Sequence, residues 1–229
     1  MMIAGPKPLA LLLAACLCLA GCGHQQMQHI DGKKYSDGEM PSDFSGSWAR
    51  DYARGDNINE VFQNAVWELS RRRDRTGQGL AIPSDRDMST LIPIARLAEL
   101  ITRPDELTIS QTEYEILIER RDDFSLQCAF YDGVAKPVES VFGKEHCGWD
   151  GSRLISVHDM PDGLRVMHRV HVSDNRRELR VITTVSSSTA PVPITISHYY
   201  WRYEKPPRKF ECIETLSMKR VCSTGNLEL

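Results

Sequence analysis

Several features that would announce a function are missing from this chain. After residue 21 no apolar run approaches the roughly 20 residues that a membrane-spanning helix needs. There is no Cys-x-x-Cys, no His-x-His and no His-Glu-x-x-His, so no element offers two metal ligands at chelating distance. Gly-x-Ser-x-Gly, the Walker loop and Gly-x-Gly-x-x-Gly are also absent, although Ser186-Ser187-Ser188-Thr189 is rich in hydroxyls. Nor is there a surplus of cations: 28 Lys and Arg stand against 31 Asp and Glu, a net charge of −3, which offers nothing to a nucleic-acid backbone. The pattern reads as a non-enzyme that needs no cofactor and no metal.

What the chain does carry starts at its first residues. A short basic region ends at Lys7, an apolar run extends from Leu9 to Leu17, and Leu19-Ala20-Gly21-Cys22 follows, the order of parts in an export signal. Leu-Ala-Gly-Cys in that position resembles, residue for residue, the lipobox of bacterial lipoproteins. The resemblance implies that residues 1–21 are a signal peptide and that Cys22 becomes the acylated first residue, carrying diacylglycerol and a palmitate-like chain. Each buried methylene contributes about 0.8 kcal/mol, so several chains anchor stably where one is marginal. Gly23, in the place where an Asp would signal retention at the inner membrane, implies the outer membrane, with the domain facing the periplasm. The membrane, through this anchor, is then the first partner.

Cys16 and Cys18 leave with such a signal. Cys128, Cys147, Cys212 and Cys222 remain, in a compartment that oxidises thiols. Four cysteines allow three pairings. Proximity in sequence favours Cys128 with Cys147 and Cys212 with Cys222, the first bridging segments that read as strands of one sheet.

Residues 22–43 are polar and poor in apolar side chains, and read as a flexible tether. The folded domain is expected over 44–204, with a helical insertion at about 57–103 and a C-terminal extension, 205–229, closed by a disulfide. Asn57 caps a run in which Ile58, Val61, Phe62, Ala65, Val66 and Leu69 recur at helical spacing, ending near the arginines at 71–75. A second helix is expected from Leu91 to Ile101, with Pro93 in its first turn. Beyond Arg103 short alternating segments follow one another: 107–111, 114–119, 124–130, 138–149, 154–158, 164–173, 178–185 and 194–203, with Asp132-Gly133, Asp150-Gly151 and Asp162-Gly163 among the turns. This is an antiparallel meander, which a barrel or a two-sheet sandwich would both produce.

Gly46-Ser47-Trp48 opens the domain, and Arg202, within Tyr200-Trp201-Arg202-Tyr203, closes it. This resembles the lipocalin arrangement, in which a Gly-x-Trp on the first strand packs against an Arg from the last. The segment Cys147-Gly148-Trp149-Asp150-Gly151 is similar to uncharacterised lipocalin-like domains of bacterial secreted proteins. The resemblance implies a mainly β fold, a lipocalin-like β-barrel of about eight strands with a two-helix insertion after the first, in which Trp48 is structural.

It also implies a lumen that binds an apolar or lipid-like small molecule. Leu164, Val166, His168, Val170 and Val172 share one strand face, and Ile194, Ile196, His198, Tyr200 and Arg202 share another. If both look inward, His168, His198 and Arg202 are the polar ligand contacts; otherwise the histidines are satisfied core residues and Arg202 seals the barrel floor. The competing function is a non-enzymatic interaction or structural protein of the cell envelope, meeting a protein partner through the helical insertion and loops, where an exposed Val66 and Trp67 would matter.

Overall fold

The computed structural model describes residues 40–74, 82–121, 125–131 and 134–204, together with the backbone of 211–213 and 221–223. The lipobox with Cys22, nearly all of the expected tether, Phe124 and the Asp132-Gly133 turn lie outside the described residues.

Eleven strands form one antiparallel sheet: β1 (Gly46–Gly55), β2 (Glu106–Gln111), β3 (Glu115–Arg120), β4 (Leu126–Tyr131), β5 (Val134–Ala135), β6 (Val138–Ser140), β7 (Gly143–Asp150), β8 (Arg153–Asp159), β9 (Leu164–Val172), β10 (Glu178–Ser187) and β11 (Ile194–Tyr203). Their order is β5-β4-β3-β2-β1-β11-β10-β9-β8-β7-β6. The expected mainly β meander is present, with more and shorter strands than the roughly eight anticipated. The segment 138–149, expected as one strand, is two, because Ser140 pairs with Gly143 and the chain reverses at Val141-Phe142.

Each strand pairs with its successor in sequence, and the last with the first, at every step but one: β5 does not bond to β6. These two edge strands are consecutive pieces of one short segment interrupted at Lys136-Pro137, and Pro137 has no N–H to continue a ladder. The sheet is therefore open in its hydrogen bonding, yet its edges meet. The Cys128–Cys147 disulfide joins β4 to β7, with their Cα atoms 5.8 Å apart, inside the normal range for a bridge. Phe130 and Trp149 meet across the same seam, with ring centroids 6.2 Å apart.

Two helices, α1 (Ile58–Asp74) and α2 (Asp85–Ile101), lie between β1 and β2, as the insertion required. Asn57 caps α1, accepting the Asn59 N–H on its side chain at 2.9 Å. The second helix starts six residues earlier than expected. Ser84 and Asp87 form a reciprocal capping box there, and Pro93 falls in the helix interior. Pro93 is tolerated because it is exposed, as is Ser89, whose carbonyl loses its usual partner and stays near solvent.

One face of the sheet looks into the roll, and two apolar clusters fill it. The lower one gathers Phe44, Trp48, Leu107, Ile116, Trp149, Leu179 and Tyr200 from around the sheet. The upper one packs Leu69, Leu91, Ile94 and Ala98 of the helices on Val166, Val185, Ile194 and Ile196, so the helices cap one end of the rolled sheet. In the C-terminal extension, the backbones of β12 (Glu211–Ile213) and β13 (Val221–Ser223) pair antiparallel; the side chains of the second expected bridge, Cys212 with Cys222, lie outside what the structure describes.

Candidate functional site

The inward faces of β9, β10 and β11 each carry one polar position where the lower apolar cluster gives way to the upper one: His168, Thr183 and His198. His168 is flanked by Ser156 and Thr183 as its direct cross-strand neighbours. All four residues are buried, and a polar group buried there must find partners within the protein.

His168 Nδ1 lies 2.9 Å from Thr183 Oγ1. Burial, with Arg120 and His158 nearby, pushes its pKa down to about 3. His198 Nε2 lies 2.7 Å from an Arg50 guanidinium nitrogen. An arginine has only donors, so this ring nitrogen accepts and carries no proton. Burial and the adjacent Arg50 charge bring the His198 pKa down to about 4. Both histidines are thus neutral core residues with internal partners. Tyr200, one step along β11, donates its hydroxyl to the Pro104 carbonyl at 3.3 Å and is pushed up to about 12 by burial.

The void between these groups measures about 30 Å³ and is lined by His168, Thr183, His198, Arg120, Tyr200 and Thr102, among apolar neighbours. That is room for about two water molecules; drug-sized ligands occupy sites of roughly 300–1,000 Å³.

Arg202 does not join the histidines. It is exposed at the far end of β11, where its guanidinium carbon lies 4.9 Å from the Trp48 ring centroid and an N–H bonds to the Ser45 carbonyl. The expectation of three polar groups in one lumen is corrected by distance along the strand: Arg202 is two pleat positions beyond Tyr200, outside the packed interior. Trp48 is fully buried and donates its indole N–H to the Phe44 carbonyl at 3.0 Å. Gly46 completes the arrangement, because a Cβ there would approach the Arg202 guanidinium to 3.3 Å on a backbone with φ of +132°. The expected contact between Gly-x-Trp and Arg is present.

Sequence reasoning missed Arg50, which follows Trp48 by two residues and so shares its inward face; that alternation was the available signal. It also missed a wide groove of about 790 Å³ outside the packed end, between the end of β1, the start of α1 and the second half of α2. His198 and Thr102 border both the small void and this groove. Among the exposed apolar side chains of the insertion are Trp67, Leu100 and Ile92, with Arg71 lying 4.5 Å over the Trp67 ring. Val66, by contrast, packs against the upper cluster. No group of three or more His, Cys, Asp or Glu side chains suited to a metal ion occurs among the described residues. No family model, curated protein or solved structure matches the chain.

Proposed function

We propose that this chain is a lipid-anchored protein of the cell envelope, held at the outer membrane by acyl chains on Cys22, whose domain works through its outer surface. The partner is another envelope component, met by the helical insertion and the adjoining loops. We read the fold as a lipocalin-like barrel, its seam sealed by residues 134–140 and the Cys128–Cys147 bridge, with an interior used for stability.

The observation that carries this reading is the small interior void beside the histidines, about 30 Å³ among the described residues, far below the roughly 300–1,000 Å³ of sites for drug-sized ligands. The polar groups beside it are already bonded to one another, so an incoming ligand would have to break those contacts. The insertion, in contrast, leaves Trp67 59 % and Leu100 60 % exposed, and exposed aromatic side chains are what partner surfaces use as anchors.

The test is site-specific photocrosslinking in the native cell. A photoreactive residue at position 67 or 100 of the full chain should give a defined envelope adduct that the same residue at Ser110 or Thr195, on the sheet exterior, does not. Equal labelling from all four positions, or none, would sink the interaction reading. The anchor is tested separately: Cys22→Ser should move the protein from the membrane fraction to the soluble fraction.

A further inference from the structure

The groove beside the packed end is lined by three arginines, Arg50 from β1 and Arg96 and Arg103 from α2 and the turn after it, together with Tyr52, Asn57 and Glu99. Arg54, Arg72, Arg121, Arg165 and Arg176 each meet a carboxylate. The three groove arginines form no ion pair among the described residues.

Arg50 is the fixed member. It donates from one nitrogen to the Thr102 carbonyl at 3.4 Å and from the other to His198 Nε2 at 2.7 Å, both on buried residues. Tyr52 lies against it, with the guanidinium carbon 5.2 Å from the ring centroid. Neutral acceptors and an aromatic face orient a guanidinium without cancelling its charge. Two carboxylates also line the groove. Asp56 accepts the Ser197 N–H at 2.7 Å and Glu99 stands on the rim, so three cations face two anions across the groove.

We infer that this groove is a binding site for a phosphate group. Three guanidinium forks around one concavity suit a tetrahedral phosphate, whose oxygens point in several directions, better than a planar carboxylate. Arg50 binds at the floor, and Arg96 and Arg103 close from the rim. The phosphate can come from a small phosphorylated solute or from a phospholipid headgroup, and the groove is open enough for either. Leu100 borders the groove but the phosphate site uses the arginines and not that side chain, and its test needs no protein partner, so its failure leaves the interaction reading intact.

Isothermal titration of the full chain in detergent tests it with two soluble probes. Inorganic phosphate represents the small solute; glycerophosphoglycerol, the deacylated headgroup of phosphatidylglycerol, represents the lipid. Saturable binding of at least one is expected, weakening as salt rises, and the tighter probe identifies the source. The double variant Arg96→Gln/Arg103→Gln changes only exposed side chains, so it should weaken binding at least tenfold at unchanged Tm. Arg50→Gln should abolish binding, and Arg176→Gln, far from the groove, should bind as the parent does. Failure of both probes to bind overturns the proposal, and so does binding that is unchanged in the double variant.

Discussion

At the scale of single residues, the two buried histidines determine how the domain meets acid. Free histidine takes up a proton near pH 6.5, whereas His168 holds off until about 3 and His198 until about 4. Between those values and 6.5 the unfolded chain binds protons that the folded chain refuses. Stability is therefore complete above about pH 6.5 and declines as the pH falls towards 3. For the fully buried His168 the loss at pH 4 is on the order of 3 kcal/mol. Urea midpoints measured between pH 7 and pH 4 should fall steadily, and His168→Gln, which cannot titrate, should flatten part of that slope. Equal slopes in parent and variant would remove His168 from the account. Gly46 makes a second claim. Gly46→Ala places a methyl against Arg202 on a backbone that side chains rarely adopt, and should destabilise by about 1–3 kcal/mol in the same urea measurement. A neutral result would mean that Arg202 moves aside at no cost.

Among elements, the weak place is the seam. β5 and β6 are two and three residues long, and no hydrogen bonds join them, so Cys128–Cys147 is the covalent link between the two ends of the open sheet. The bridge spans 19 residues, a loop for which chain entropy gives about 3 kcal/mol. Cys128→Ser/Cys147→Ser should lower stability by about that amount and speed hydrogen exchange in β4 and β7 before β10. Uniform acceleration across the sheet would show that the seam does not open on its own. The sequence revealed this bridge because the two cysteines are close in the chain and lie in segments that read as strands of one sheet, a short-range signal. It revealed α1 for a similar reason, since apolar periodicity and an Asn cap are written within one helix. The start of α2 was less legible: Ser84, Ser89 and Thr90 suggest a loop until the capping box is seen. The break at Val141-Phe142 was hidden because neither residue is a turn former.

For the molecule as a whole, legibility stops where distant segments meet. His168 and His198 could be assigned to inward faces from alternation alone, but whether those faces enclosed space depended on α1 and α2 packing over the same end. Arg202 shares the parity of His198, yet the length of β11 carries it beyond the packed interior to the surface beside Trp48. The groove combines β1, α1 and the end of α2, three segments whose meeting no local pattern announces. The central claim is that the interior is filled by the chain's own side chains and that function lies on the surface. Native mass spectrometry of the full chain, purified without denaturation, tests this most directly. The native mass should equal the covalent mass measured after unfolding, apart from any small phosphorylated solute whose retention requires Arg50. An apolar molecule that accompanies the native protein and is released only when the sheet unfolds would contradict it.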